Sequence, residues 1–366
     1  STMEIQDLLK PSMRTLPPYA ALEDVNALAR ELGLDPDTII KIDGNENAFG
    51  PSEHAISAIA DSLLNTVHRY GDAEQRALRE SIGAHIKVSP DAVVCGNGSD
   101  ELIDLVFRLF VAPGEDILIS SPTFGMYSFD ASLHGAQVVD VPLGPQWNFD
   151  SERLAIEATR SKVVFIPSPN NPTGNSISPE LVTELLATGS IVVIDEAYIE
   201  FSTHESLVQL ASATPRLIVL RTFSKWGGLA GLRIGYGVMH PETAQICMQA
   251  KQPYNIGIAA EVAALASLED SDSLDEKAAI IVSERDRLAE EFQSLGWINP
   301  WQSDASFLLC QLDGISGLEL RDRLRTEGIF TRYIAHPRLE DHLRISIATP
   351  EENDEVLRVL KEIGSE

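Results

Sequence analysis

A lysine, a serine and an arginine share one short stretch, Arg221-Thr-Phe-Ser-Lys-Trp-Gly-Gly-Leu-Ala-Gly-Leu-Arg-Ile-Gly-Tyr236. Lys225 follows an apolar run, Leu217 to Leu220, and Arg233 follows it across a glycine-rich turn. A lysine leaving a buried strand is a poor core residue but a good covalent anchor, because desolvation favours the free, nucleophilic amine. Ser224 and Arg233 supply donors for a phosphate, the arginine in bidentate fashion. An amine nucleophile beside a phosphate clamp suits pyridoxal phosphate held as a Schiff base. The same residues also suit a plain turn with a solvated lysine and a surface arginine.

Which elements position these groups follows from the apolar pattern. Short β-branched runs recur at Ala92 to Cys95, Asp116 to Ser120, Gln137 to Val141 and Lys162 to Ile166. Others begin at Ile191, Leu217 and Ile234, and helical periodicity separates several of them. Apolar strands alternating with helices predict a largely parallel sheet covered on both faces. In such sheets ligands sit beyond the carboxyl ends of strands. Gly98, Asn171, Asp195, Tyr198 and Lys225 all fall just past a predicted strand end.

Several of these positions carry chemistry of their own. Gly96-Asn-Gly-Ser-Asp-Glu101 is a glycine-rich turn opening a helix, which presents free backbone N–H groups to an anion. Asp195 ends an all-apolar strand, where a carboxylate is costly unless paired. Tyr127 opens a helix after Pro122-Thr-Phe-Gly, placed either to stack on a planar ring or to fill the core. Pro167-Ser-Pro-Asn-Asn-Pro-Thr-Gly174 is a rigid polar loop whose amides can make oriented hydrogen bonds.

After Pro253 the order changes. Two helical patterns, Ile258 to Leu268 and Leu274 to Leu295, precede strands at Phe307 to Leu312, Ile329 to Tyr333 and Leu343 to Ala348. Thr349-Pro350-Glu351-Glu352 reads as a capping box opening a last helix. This predicts a smaller α+β lobe. Arg332 and Arg344 lie on its strands and can face solvent, a partner acid, or an acidic group of a substrate. His336 and His342 are expected at the surface, and no spacing suggests a metal. At the other end, Met13-Arg-Thr-Leu-Pro-Pro-Tyr19 predicts an extended arm before a short helix over Glu23 to Leu32.

Composition narrows the classes. The chain has 366 residues, 44% of them hydrophobic and 23% charged, as in a globular protein with a large core. A formal net charge of −27 argues against nucleic acid or an anionic membrane surface as partner. Cys95, Cys247 and Cys310 show no metal or disulfide spacing and fit core thiols in a reducing compartment, so a cytoplasmic location is expected.

Taken in order, Asn170-Asn-Pro-Thr-Gly174, Asp195-Glu-Ala-Tyr198, Ser224-Lys225 and Gly231-Leu-Arg-Ile-Gly-Tyr236 resemble the fold-type I, pyridoxal-phosphate-dependent aminotransferases of class I/II. Gly44-Asn-Glu-Asn47, Arg69-Tyr70, the Gly96 turn, the Pro122 segment and Leu343-Arg-Ile-Ser-Ile-Ala-Thr-Pro-Glu-Glu-Asn353 make the set similar to the histidinol-phosphate aminotransferases. The resemblance runs from about Tyr19 to the C-terminus. It implies a mostly parallel central sheet flanked by helices and a smaller α+β C-terminal domain. The boundaries expected are residues 1–45 for an arm packing with the small domain, 46–265 for the large domain and 266–366 for the small one.

The family also implies roles. Lys225 would hold the cofactor as a Schiff base and move the substrate proton. Asp195 would pair with the pyridine nitrogen, Tyr198 and Asn171 would bond the ring hydroxyl oxygen, and Tyr127 would stack on the ring. Ser99, Asp100, Ser224 and Arg233 would hold the phosphate, joined by Tyr70 from the other subunit of a homodimer. Tyr19, Asn47, Asn171, Arg332 and Arg344 would bind substrate. The expected reaction moves an amino group between L-histidinol phosphate and 2-oxoglutarate, with glutamate as product. Aromatic amino-acid transamination and decarboxylation of a phospho-amino acid use similar residue sets and stay open on sequence. A cofactor-binding transcription regulator needs a basic DNA-binding domain, which this acidic chain does not show.

Overall fold

A computed structural model describes residues 4–365. Its centre is a seven-stranded sheet in the spatial order Val93–Gly96, Gly235–Val238, Leu217–Thr222, Ile191–Asp195, Val163–Pro167, Asp116–Ile119, Gln137–Asp140. All neighbouring pairs are parallel except those made by Gly235–Val238, which runs against both neighbours. The exception has a simple cause. Between Thr222 and Gly235 the chain forms only a short 3-10 turn, Ala230–Leu232, and a parallel return needs a longer crossover.

Side chains leave a strand alternately to its two faces. Val192, Ile194, Val164, Ile166, Leu217 and Val219 pack into one core, and Val163, Phe165, Val193, Ile218 and Leu220 into the other. Both faces are dry, which is why these strands read as unbroken apolar runs rather than as an alternation. Ser178 caps the Pro179–Ala187 helix through Leu181 N–H, with proline at the first position. The capping box at Thr349 and Glu352 is formed on the Pro350–Gly364 helix, both partners bonding reciprocally.

The C-terminal sheet is antiparallel, with Phe307–Leu312 between Ile298–Pro300 and His342–Ser346. The edge strand Ile298–Pro300 carries no alternating pattern of its own and was not expected. The expected strand at Ile329 to Tyr333 is shorter. Only Ile329–Phe330 pairs, and it pairs in parallel with Ile40–Lys41 from the N-terminal region. Beyond it, Arg332 and Arg344 exchange backbone hydrogen bonds across an isolated bridge. Directly opposed residues share a face, so both arginine side chains leave the bridge on one side.

Candidate active site

A cavity of about 870 Å³ lies beyond the carboxyl ends of the parallel strands, between the large sheet and the C-terminal sheet. Lys225 leaves the strand Leu217–Thr222 after a tight turn in which Thr222 Oγ1 accepts from Ser224 N–H at 3.0 Å. Its Nζ donates to the Gly44 carbonyl at 3.0 Å and lies 5.7 Å from the centroid of the Tyr198 ring. Nothing in this contact set uses up the amine's lone-pair chemistry, since a backbone carbonyl is a neutral partner.

Asp195 ends its strand at the cavity wall and is 4% exposed. It accepts from Tyr127 Oη at 2.8 Å and from Ala197 N–H at 3.2 Å, and among the described residues no cation pairs with it. Burial pushes its carboxyl up to about 6, against the pull of the Tyr127 hydrogen bond. The same cavity holds the opposite case. Arg344 is buried, and its partners are neutral: Asn171 Oδ1 at 2.8 Å and the Asp43 carbonyl at 2.6 Å. Its Nε has no partner, and burial draws the guanidinium down to about 10. It stays cationic at neutral pH, with Arg332 beside it and no carboxylate in ion-pair contact among the described residues. Like charges directly opposed are unfavourable, so this corner could take an anion.

A third feature is the start of the Gly98–Phe110 helix. Its N-cap residue, Asn97, makes no capping bond, so the first backbone donors stay free. Ser99, Asp100, Ser224 and Arg233 surround that end. Arg233 reaches Asp100 Oδ2 at 3.3 Å and Ser224 Oγ at 3.4 Å. Gly98 has φ +69°, and a Cβ there would sit 2.5 Å from Arg233 Nη2, so only glycine lets the guanidinium lie over the helix end. Together these groups could hold a phosphate.

Most of the expected site residues line this cavity: Tyr19, Ser99, Asp100, Asn171, Asp195, Tyr198, Ser224, Lys225, Arg233, Arg332 and Arg344. Three do not. Tyr127 is fully buried behind Asp195, stacked on Phe165 at 5.0 Å, and its hydroxyl is committed to the carboxylate. Of the two aromatic residues at this helix start, the one at the wall is Phe124, three residues earlier on the loop before the helix, packed edge-on to Tyr127 at 5.6 Å. Asn47 turns away and donates to the carbonyls of Lys225 and Trp226, at 3.0 and 3.3 Å. Tyr70 is 85% exposed and lies tilted against Tyr254, outside this chain's own cavity.

Sequence reasoning missed Asn45. It lies at the cavity wall with φ 53°, donates to Tyr198 Oη at 3.0 Å and accepts from Ser346 Oγ at 2.6 Å. Its signal was available, since asparagine is among the few residues that enter the left-handed region readily. The histidines are corrected too. His336 lines the cavity, and His342 is buried, accepting from Trp301 Nε1 at 3.0 Å and facing Asp341 at 2.7 Å.

Behind the phosphate-type corner lies an unused acid. Asp130 is 3% exposed, its Oδ2 has no partner, and burial, with Asp104 and Asp100 nearby, pushes it up to about 7. A carboxyl raised on folding contributes stability at low pH that is lost as pH climbs through about 7. Asp130→Asn is therefore expected to raise the melting temperature, by the equivalent of about 1–2 kcal/mol at pH 8 and by much less at pH 5. Equal shifts at the two pH values, read by thermal unfolding, would contradict an ionisation origin.

Comparison with known proteins agrees with the geometry. Residues 37–360 match the family of class I and II aminotransferases. A histidinol-phosphate aminotransferase of Roseiflexus castenholzii is 44% identical over 98% of this chain and 99% of its own. One from Dehalococcoides mccartyi is 37% identical over 99% of both. Among solved structures, the histidinol-phosphate aminotransferase of Sinorhizobium meliloti in complex with pyridoxal 5′-phosphate superposes with a TM-score of 0.89, at 29% identity, over 98% of this chain and 97% of that one. The chain belongs to the class I and II aminotransferases and, within them, to the histidinol-phosphate aminotransferase family.

Proposed function

We propose that this chain is a pyridoxal-phosphate-dependent transaminase that moves the amino group between L-histidinol phosphate and 2-oxoglutarate. The products are imidazole acetol phosphate and L-glutamate, as in histidine biosynthesis. The observation that carries the reading is the pair of uncompensated buried charges, Asp195 and Arg344, lining one cavity with the Lys225 amine. A buried carboxylate and a buried guanidinium without ionic partners are both costly. Each becomes favourable when a pyridinium nitrogen lies on Asp195 and a substrate anion on Arg344.

The residues present fit the cofactor part by part. Lys225 Nζ would hold the aldehyde as a Schiff base. Asp195 would keep the ring nitrogen protonated, and Tyr127 would orient that carboxylate from behind. Tyr198 and the free amide nitrogen of Asn171 would bond the ring oxygen, and Phe124 would cover the ring face. The open helix end with Ser99, Asp100, Ser224 and Arg233 would hold the phosphate. When bound, the cofactor supplies an electron sink for a carbanion at the substrate Cα. The chain's own task is then to orient and to move a proton. Arg344, with Arg332 and Tyr19, fixes the acidic end of the substrate, and Lys225 Nζ takes the Cα proton and returns it.

A homodimer suits the exposed face formed by Ile56, Leu63, Leu64, Val67, Tyr70 and Tyr254, from which Tyr70 would reach the partner's phosphate. We read the arm up to residue 45 as part of the small lobe, with the large domain over 46–265 and the small one after it. The pairing of Ile40–Lys41 with Ile329–Phe330 supports the first of these boundaries. Three buried free thiols suit the cytoplasm.

The deciding experiment is a donor panel with 2-oxoglutarate as acceptor. Histidinol phosphate is expected to exceed phenylalanine and tyrosine in kcat/KM by about 10²-fold or more, because its dianionic phosphate gains more from two guanidinium groups than their singly charged carboxylate does. Equal efficiencies would replace this reading with aromatic transamination, and release of CO₂ from phosphothreonine with a decarboxylase. In the same assay Arg344→Leu is expected to lower kcat/KM by about 10²-fold for both substrates, because a bidentate charge-assisted contact is lost. A loss under threefold would remove Arg344 from the substrate.

A further inference from the structure

An asparagine at a helix N-cap ordinarily turns its side chain onto the second or third backbone N–H of the helix. Asn97 occupies that position on the Gly98–Phe110 helix and does not do so. Its Nδ2 is drawn outward instead, to Glu101 Oε2 at 2.6 Å and to the Asn255 carbonyl at 2.5 Å. Glu101 Oε2 also accepts from the Asn97 backbone N–H at 3.1 Å.

Asn255 is the centre of this arrangement. Its Nδ2 donates to Glu101 Oε1 at 2.6 Å and to the Cys95 carbonyl at 3.2 Å, gripping the turn on both sides of Asn97. Its Oδ1 accepts from Lys251 Nζ at 3.0 Å, and Lys251, 7% exposed, is itself anchored on the Ala73 carbonyl at 2.9 Å. None of these atoms lines the cavity.

We propose that Asn255 is a positioning residue for cofactor binding: through Glu101 and Asn97 it holds the N-cap side chain off the helix end, so that the end stays open to a phosphate. The inference rests on the reading of that corner as the phosphate site. Without the Asn255 amide, Glu101 loses its Oε1 donor and its grip on Asn97 loosens; the Asn97 side chain can then turn onto its own helix end, where its oxygen competes with the anion for the same donors. The linkage thus trades a local capping bond for an external ligand.

The test compares full-length Asn255→Ala with the parent. Two quantities are read: the rate at which the holoenzyme loses its cofactor absorbance on dialysis, and the affinity of the stripped protein for pyridoxal phosphate and for inorganic phosphate. Asn255→Ala is expected to weaken both affinities about tenfold while kcat at saturating cofactor stays within threefold. Adding Asn97→Ala, which removes the competing cap, is expected to recover most of the lost affinity. Recovery is the outcome that a merely structural role for Asn255 does not produce. Lys251→Met, which loosens Asn255 without removing it, is expected to act in the same direction by about threefold, and it serves if Asn255→Ala does not fold. Parent-like affinity in Asn255→Ala, or a double variant no better than the single one, overturns the proposal. A parent protein that binds neither pyridoxal phosphate nor phosphate overturns the site reading itself, which is a separate result.

Discussion

Lys225→Ala is expected to lower transamination by at least about 10⁴-fold and to leave a protein without the yellow absorbance of a lysine Schiff base. Two losses combine here. The amine is the proposed covalent anchor, and it is also the base that moves the Cα proton, a role that by itself contributes typically 10²–10⁴-fold. No neighbour can take over. Among its neighbours, the Tyr198 hydroxyl already accepts from Asn45, Asp195 is held on the far side by Tyr127 and Ala197, and Asp100 is paired with Arg233. Folding is not expected to suffer, since the Lys225 side chain makes a single hydrogen bond, to the Gly44 carbonyl. Turnover with histidinol phosphate gives the first readout. Borohydride reduction of the parent and peptide mapping gives the second. A pyridoxyl group on another lysine, or undiminished turnover in the variant, would refute the assignment.

How far this site was legible before the structure depends on what kind of signal each residue leaves. Lys225, Asp195 and Asn171 break apolar strands or rigid loops with a polar group, and strand ends are where such sheets keep their ligands, so position and chemistry agreed. Arg344 was legible as an arginine inside an apolar strand. Its pairing with Arg332 was not, because a cross-strand bridge between residues in different elements leaves no mark on either segment. Tyr127 and Phe124 show the limit most clearly. Both are aromatic, three residues apart, at the opening of one helix, and which faces the cavity depends on where the preceding loop ends and the Met126–His134 helix begins. On sequence Tyr127 suits stacking on a planar ring or filling the core, and its polarity is what places it behind the wall: a buried hydroxyl needs a partner, and Asp195 is that partner. Asn47 was expected at the substrate and Asn45 was not singled out. Two asparagines in one turn differ only in backbone conformation, and the left-handed one, Asn45, points inward.

Asp195→Asn is expected to move activity and stability in opposite directions. Activity falls because asparagine cannot hold the ring nitrogen in its protonated form, and without that charge the sink for the Cα carbanion weakens; a loss of about 10³-fold or more in kcat fits the weight of electrostatic stabilisation at such sites. Stability of the cofactor-free protein rises for the reason already visible in the geometry. The carboxyl is raised to about 6 by burial, from an unfolded value of about 3.9. Its folded form therefore binds a proton more tightly than the unfolded chain, and the stability this contributes is present below about pH 4 and lost as pH rises through about 6. At pH 8 the native state holds an unpaired buried carboxylate, at a cost on the order of 2–3 kcal/mol that asparagine removes. Thermal unfolding of stripped parent and variant at pH 5 and pH 8 measures it, with the larger gain expected at pH 8. Pyridoxal phosphate should then stabilise the parent more than the variant, because only the parent gains an ion pair on binding. A variant less stable than the parent at pH 8, or stabilised equally by the cofactor, would mean that Asp195 is already compensated without a cation and does not select for one.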